Sequence, residues 1–186
     1  SRNKKIKYIP VTHEQSASIM ADSYSRMGVN FSCSMATSGP GATNLITGIA
    51  CSYFDSIPSL HITGQVNTWE QQGFNSSTRK VRQVGFQETD IVSIAKPITK
   101  FSYKLKKASE IKYVLEKAFH IATSGRPGPV LIDIPMDFQR KKFWIVDPID
   151  GTKSFLNGGD EYTINIALIL NGKPILGGVS HPPSKK

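Results

Sequence analysis

The chain has 186 residues, 39% of them hydrophobic, and a formal net charge of +9, which is enough for one domain with a core or for one domain and an appendage. No apolar run approaches the roughly 18 residues of a membrane span, and no secretory signal precedes the first motif, so we predict a cytoplasmic protein that does not bind a membrane. The Lys and Arg residues form short clusters at segment ends without interleaved aromatic residues, which favours a solvated surface over a nucleic-acid partner.

The first elements in chain order alternate strand and helix. Residues 7–11 are predicted to form a short strand, and Thr12 is predicted to cap a helix that ends at Gly28. The apolar residues at helical spacing in this helix are Ala17, Met20, Ala21, Tyr24 and Met27. Next come a buried strand over 30–36 with Phe31, Cys33 and Met35 on one face, a Gly-Pro-Gly turn, a helix over 42–53 and a strand over 58–63. This order is typical of a crossover unit of a parallel sheet.

The following residues continue the same type of fold. We predict a long polar loop over 67–85, a short helix over 86–95, an amphipathic helix over 108–123 and a central parallel strand over 130–134. The two cysteines, Cys33 and Cys51, lack the spacing of a metal site and are predicted to be buried free thiols.

The pattern changes between residues 138 and 143. A strand over 143–146 leads into an Asp-rich turn, and residues 162–170 alternate in polarity before the hairpin signal Asn171-Gly172 and a returning strand over 174–179. We therefore predict two parts, residues 1–140 and 141–186. The first is an α/β domain with a parallel sheet flanked by helices, and the second is an antiparallel β-hairpin appendage.

Six motifs lie in the first part. A glutamate at a helix start in an apolar setting is expected to have a raised pKa, so that it can share a proton with a heterocyclic nitrogen. The motifs are His13-Glu14-Gln15, Ser38-Gly39-Pro40-Gly41-Ala42-Thr43-Asn44, Asp55-Ser56-Ile57-Pro58, Ile62-Thr63-Gly64-Gln65-Val66, Phe86-Gln87-Glu88 and Gly125-Arg126-Pro127-Gly128-Pro129. In this order they resemble thiamine-diphosphate enzymes of the acetolactate synthase and pyruvate oxidase type, over residues 6–140.

That resemblance implies a function for individual residues. Glu14 would hydrogen-bond the aminopyrimidine ring of thiamine diphosphate, whose thiazolium carbon then attacks a 2-keto acid. The residues that the resemblance places at the cofactor are Glu14, Gly39, Pro40, Gly41, Asn44 and Gln87, and those that it places at the reaction centre are Glu14, Phe86 and Gln87. It also implies that residues 1–140 lack the first strand and helix of a pyrimidine-binding domain. The diphosphate and its Mg²⁺ would be held by another domain, in a homodimer or a paired polypeptide.

A second resemblance lies in the C-terminal part. Asp147 and Asp150 are three residues apart at the end of a strand, a spacing at which carboxylates can share divalent cations, and the amides of Gly151 and Thr152 can hold a phosphate. Residues 143–183 resemble the inositol monophosphatase superfamily, closest to its 3'-phosphoadenosine phosphatase branch. The resemblance implies Asp147, the Ile149 carbonyl and Asp150 as ligands of weakly bound Mg²⁺, with Thr152 positioning the attacking water.

Three hypotheses follow. The first is the thiamine-diphosphate-binding portion of a 2-keto acid carboligase or lyase, expected to be inactive without a diphosphate-binding domain. The second is a Mg²⁺-dependent phosphatase of bisphosphorylated nucleotides with an incomplete metal site. The third is a noncatalytic interaction module whose exposed sheet edges and helix faces recruit a partner.

Overall fold

The computed structural model describes residues 8–28, 31–73, 81–139, 142–150, 163–170 and 173–180. Its backbone forms two compact units, Ser1–Met136 and Asp137–Lys186. The helices are α1 (Glu14–Arg26), α2 (Pro40–Asn44), α3 (Ile46–Phe54), α4 (Ile91–Ala95), α5 (Ile111–Thr123) and α6 (Met136–Gln139), with 3₁₀ turns at Thr68–Glu70, Lys96–Ile98 and Ala108–Glu110.

The first unit is organised around a four-stranded parallel sheet. Its strands are β1 (Ser32–Ala36), β2 (Ser59–Gln65), β3 (Phe101–Lys104) and β4 (Val130–Pro135), in the order β1-β2-β4-β3. The strand β4 pairs with both β2 and β3, and its apolar residues Val130, Leu131 and Ile132 are fully buried. The predicted parallel sheet flanked by helices is therefore confirmed, as is the central position of β4.

The start of the chain differs from the prediction. Residues 8–11 are exposed and form no strand, so the predicted strand over 7–11 is wrong for the four residues that the structure describes. The cap of α1 is His13 rather than Thr12, because the Nδ1 atom of His13 accepts a hydrogen bond from the Gln15 backbone N–H at 3.2 Å. The last residue of α1 is Arg26, two residues before the predicted end at Gly28, and Gly28 adopts a left-handed φ of +78°.

The buried face of α1 is small and mostly polar; of the apolar face predicted from the sequence, Ala21 is buried and Ala17 is partly buried. Ser18, Asp22 and Ser25 are buried on this face, and Met20 and Tyr24 are 41% and 52% exposed. A Cβ placed on Gly48 of α3 would lie 2.3 Å from the Ser18 hydroxyl, so the two helices approach too closely for large side chains. Helix α1 therefore buries its smallest residues.

The same inversion occurs in β1. Ser32 and Ser34 are buried, whereas Met35 is 70% exposed, contrary to the predicted apolar inner face. The buried hydroxyls have partners: that of Ser32 lies 2.7 Å from the hydroxyl of Ser25, and that of Ser34 lies 2.7 Å from a ring nitrogen of His61. Buried polar groups are tolerated when they are hydrogen-bonded in this way.

Three further predictions, one about burial and two about helix bounds, need correction. Cys33 and Cys51 are free, as predicted, but both are exposed. The helix predicted over 42–53 is divided into α2 and α3 at Leu45. Leu45 itself is fully buried in the core cluster. The helix predicted over 86–95 begins only at Ile91, because Gln87 has a left-handed φ of +61° that a helix cannot contain.

The second unit contains a three-stranded antiparallel sheet in the order β5-β6-β7. Its strands are β5 (Lys142–Asp150), β6 (Thr163–Leu170) and β7 (Lys173–Ser180). The pairing of β5 with β6 is irregular between Asp147 and Asp150, where β5 has an extra residue relative to its partner. The predicted turn Asn171-Gly172 lies outside the described residues.

Candidate functional site

The predicted cofactor residues lie where β1 ends and α1 begins. The strand β1 ends at Ala36, and residues 37–39 lead directly into the short helix α2. In parallel α/β sheets the carboxyl ends of the strands are where ligands usually bind. The first turn of α1 lies at the same place, because the Asn44 side chain at the end of α2 contacts Glu14.

The central contact joins two predicted site residues that are 30 positions apart. The amide Nδ2 of Asn44 donates a hydrogen bond to Oε2 of the half-buried Glu14 at 3.0 Å. This bond is the main reason that the pKa of Glu14 lies below its usual value, and the backbone N–H of Glu14 contributes in the same direction. The raised pKa expected from the sequence is therefore wrong, because hydrogen bonds to the charged form outweigh partial burial.

Gly41 allows the backbone of α2 to approach that carboxylate. A Cβ at position 41 would lie 2.7 Å from Cγ2 of Thr37 and 3.3 Å from Oε1 of Glu14. Any side chain here would therefore press on the carboxyl group or on the turn before it. The glycine leaves the Glu14 carboxyl close to bare main chain.

Gly39 makes the corresponding contact with the Gln87 segment. A Cβ at position 39 would lie 2.6 Å from Cβ of Gln87 and 3.0 Å from its carbonyl oxygen, and Gly39 also has a left-handed φ of +64°. The loop and helix over 37–44 thus contact Glu14 on one side and Gln87 on the other. Pro40, between the two glycines, is exposed at the first position of α2, where a proline is well tolerated.

Five of the predicted residues are brought together in this way: Glu14, Gly39, Gly41, Asn44 and Gln87. Phe86 precedes Gln87 in the chain and is 81% exposed. Its side chain is therefore largely open to solvent and is not packed within the cluster.

The Gln87 segment is supported by Gln65, which lies in a motif without an assigned role, and by Asp133, which the sequence did not single out. Nε2 of Gln65 donates to the Thr89 carbonyl at 2.7 Å and to Oδ2 of Asp133 at 3.0 Å. Asp133 is 1% exposed and also accepts a hydrogen bond from the Thr63 hydroxyl at 2.7 Å. Burial raises the pKa of Asp133 to about 6 despite these two bonds. The signal that could have identified it is a lone carboxylate within an apolar strand, which requires buried partners.

Glu88 supports the same segment from its other side. One oxygen of its carboxylate accepts from the Gln72 backbone N–H at 2.6 Å, and the other accepts from the Val84 backbone N–H at 3.0 Å. Glu88 therefore connects the two flanks of the loop predicted over 67–85 to the turn that holds Gln87.

The predicted metal site lies in the second unit. Asp147, Ile149 and Asp150 belong to the end of β5, at its irregular pairing, and Gly151 and Thr152 lie outside the described residues. Among the residues whose side chains the structure describes, no group of three or more His, Cys, Asp or Glu could hold a metal ion. None of the helices within the described ranges is long and apolar enough to span a membrane.

Two protein-family models match the sequence. The model described as thiamine pyrophosphate enzyme, N-terminal TPP binding domain, matches residues 1–94. The model of the inositol monophosphatase family matches residues 122–186. Both resemblances expected from the motifs are thus confirmed at the level of the family.

The relatives found for this chain include several acetolactate synthases. The large subunit from Buchnera aphidicola (subspecies Acyrthosiphon pisum) is 46% identical over 136 residues, which are 73% of this chain and 22% of that protein. The large subunit from Haemophilus influenzae is 45% identical over 138 residues, 74% of this chain and 22% of that protein. The isozyme 3 large subunit from Escherichia coli is 45% identical over 132 residues, which are 71% of this chain and 21% of that protein. The chain spans about a fifth of the length of these relatives.

Proposed function

The chain belongs to the thiamine pyrophosphate enzyme family through its N-terminal TPP binding domain, and from this premise we propose that it is the pyrimidine-binding portion of a 2-keto acid carboligase or lyase of the acetolactate synthase type. The observation that carries the proposal is the position of Glu14. Its carboxylate is held by Asn44, lies against the bare backbone of Gly41 and is partly open to solvent.

The donors and acceptors present fit an aminopyrimidine ring. A carboxylate whose pKa is lowered is ionised at neutral pH, so Glu14 can accept a hydrogen bond from a ring nitrogen of the cofactor when that nitrogen carries a proton. Without side chains, Gly39 and Gly41 expose main chain next to Gln87 and next to the Glu14 carboxylate, and we propose that the flat ring approaches the site over this main chain. When bound, thiamine diphosphate supplies a nucleophilic carbon and stores the electrons of the reaction.

The chain's own residues would orient that group and move one proton. Glu14 would take and return a proton at a carboxylate oxygen, and Asn44 would keep the carboxyl in one orientation while it does so. Gln87 would contribute an amide beside the ring, and the exposed ring of Phe86 would cover the substrate. The 2-keto acid, the Mg²⁺ ion, the homodimer or paired diphosphate-binding domain and the cytoplasmic location all belong to this proposal.

The test is complementation with a diphosphate-binding polypeptide of an acetolactate synthase. The full chain and that polypeptide are mixed, and thiamine pyrophosphate binding is measured by calorimetry in the presence of Mg²⁺. We expect Glu14→Gln to weaken binding about 10- to 100-fold, as for the loss of one charge-assisted hydrogen bond, and to abolish 2-keto acid turnover.

The matched control is Glu116→Gln, on the exposed side of α5, where the carboxylate forms an ion pair with Lys112 at 3.9 Å. It should change neither quantity. Equal binding by the Glu14→Gln variant and the unmodified chain would refute the proposal. Tolerance of both substitutions together with stable complex formation would instead favour the noncatalytic interaction module.

A second candidate function rests on the inositol monophosphatase match over residues 122–186. In this alternative the end of β5 supplies Asp147, the Ile149 carbonyl and Asp150 to Mg²⁺, as part of a phosphatase of bisphosphorylated nucleotides. The chain should then release phosphate from adenosine 3',5'-bisphosphate with Mg²⁺, and Asp147→Asn should abolish the release. Absence of phosphate release by the unmodified chain would exclude this function for it.

A further inference from the structure

Gln87 is held in a conformation that its own sequence does not favour. Its φ of +61° is left-handed, a region that residues other than glycine rarely adopt because their Cβ is crowded there. Such a conformation persists only where the surroundings enforce it. Part of the enforcement is steric, because Gln87 lies directly against Gly39.

Besides the bonds of Glu88, several hydrogen bonds converge on Thr89, two residues after Gln87. The hydroxyl of Thr89 donates to the Gln87 carbonyl at 3.3 Å. The Thr89 carbonyl accepts from Nε2 of Gln65 at 2.7 Å and from the Ile91 backbone N–H at 2.9 Å. Thr89 is therefore fixed both to the start of α4 and to the end of β2.

The Gln65 amide can adopt only one orientation. Its two N–H groups donate to the Thr89 carbonyl and to the carboxylate of Asp133, and its oxygen accepts from the Val66 backbone N–H at 3.0 Å. A flipped amide would place oxygen against both the carbonyl and the carboxylate. Asp133 is itself fixed by the Thr63 hydroxyl and is fully enclosed in the sheet.

We propose that Gln65 is a positioning residue, which, oriented by Asp133, holds Thr89 and thereby sets the Gln87 turn against Gly39. This inference rests on the proposed function, since it assigns Gln65 a role in shaping the thiamine pyrophosphate site without contact to the ligand. The inference also gives a role to the buried carboxylate of Asp133, which takes no part in the proposed chemistry.

The first measurement needs no ligand. Backbone amide exchange is followed by NMR in the full chain for Glu88, which donates to the Gly85 carbonyl at 3.1 Å, and for Ile91, which donates to Thr89. We expect Gln65→Met to accelerate both exchange rates at least about tenfold. Asp133→Asn retains an acceptor for Gln65 and should give a smaller increase, at least about twofold, so it tests the same link if Gln65→Met folds poorly.

The matched control is Gln71→Met. Gln71 is a nearby amide that donates to the Val66 carbonyl at 3.0 Å and has no hydrogen bond to Thr89 or Asp133. It should change the two exchange rates less than about twofold. Unchanged exchange at Glu88 and Ile91 in both Gln65→Met and Asp133→Asn would overturn the inference.

The second measurement is a double-mutant cycle on thiamine pyrophosphate affinity in the complemented complex. If Gln65 acts through Gln87, Gln65→Met weakens binding in the unmodified chain and has no further effect in a Gln87→Ala background. Additive losses would overturn the positioning role. Failure of the unmodified complex to bind thiamine pyrophosphate would refute the proposed function alone, because the exchange rates decide the positioning of the turn independently.

Discussion

A buried histidine makes the stability of the first unit depend on pH in a predictable way. His61 is fully buried, and its two ring nitrogens lie 2.7 Å from the Ser34 hydroxyl and 2.9 Å from the Ser59 hydroxyl. Burial lowers the pKa of His61 from 6.5 to about 3. Between these two values the unfolded chain binds a proton that the folded chain does not, so stability is lost as the pH falls.

Asp133 acts in the opposite direction over nearly the same range. The pKa of Asp133 is about 6 in the folded chain and 3.8 in the unfolded chain. Between these values the folded chain binds a proton that the unfolded chain does not, so stability is gained as the pH falls. Between about pH 6 and about pH 4.5, linkage gives a loss of about 2 kcal/mol from His61 and a gain of about 1.5 kcal/mol from Asp133. The two contributions nearly cancel, and single substitutions should reveal them.

The assay is urea denaturation of the full chain at several pH values. The chain has two tryptophans, so a Trp144→Phe background leaves the half-buried Trp69 as a reporter of the first unit. Relative to this background, His61→Asn should gain about 2 kcal/mol of unfolding free energy as the pH falls from about 6 to about 4.5, and Asp133→Asn should lose about 1.5 kcal/mol. Other titrating groups cancel in these differences.

The control is Ile49→Val, a fully buried core position without a titrating group. It should lower the free energy by about 1 kcal/mol at every pH, giving a parallel curve. A parallel curve for His61→Asn as well would refute the reasoning, since the histidine would then titrate alike in the folded and unfolded chain.

Three further outcomes follow from the site. Asn44→Ala should raise the pKa of Glu14 towards its usual value, because the bond that lowers it most is lost, and carboxyl carbon NMR titration would measure this. Gly41→Ala should lower the free energy of unfolding by about 1–3 kcal/mol in urea denaturation, since its Cβ would lie 2.7 Å from Cγ2 of Thr37. Adding Thr37→Ser should recover part of this loss, because it removes the clashing methyl group. An equal loss with and without Thr37→Ser would contradict the packing argument. Glu88→Gln should accelerate the exchange of its two backbone N–H donors about tenfold by replacing a charged acceptor with a neutral one, and unchanged rates would show that these bonds do not hold the loop.

The parallel sheet could be predicted because its signals are local. The strand β4 has an almost continuous apolar sequence, and Gly39-Pro40-Gly41 marks the turn between β1 and α2. The order of the motifs also indicated that Glu14, Asn44 and Gln87 belong to one site. The structure supplies the contacts that join them, which no periodicity contains.

Other features depend on packing between distant segments, so the pattern of hydrophobic residues did not predict them correctly. The inner face of α1 has small residues because Ser18 lies too close to Gly48 for a larger side chain. The inner face of β1 is polar, and its Ser34 has the buried His61 as a hydrogen-bond partner. The pKa of Glu14 was predicted in the wrong direction for a related reason. Its sequence context shows an apolar setting, and the amide that stabilises its charge lies 30 residues away.

The location of Asp133 bears on how the two family matches divide the chain. The inositol monophosphatase match begins at residue 122 and so includes β4, yet β4 pairs with β2 and β3 in the parallel sheet of the first unit. The strand β4 also supplies the Asp133 carboxylate that accepts a hydrogen bond from Gln65, so the proposed positioning role of Gln65 depends on a residue of this strand. The residues proposed as Mg²⁺ ligands of a phosphatase, Asp147, Ile149 and Asp150, lie in the second unit, which begins at Asp137.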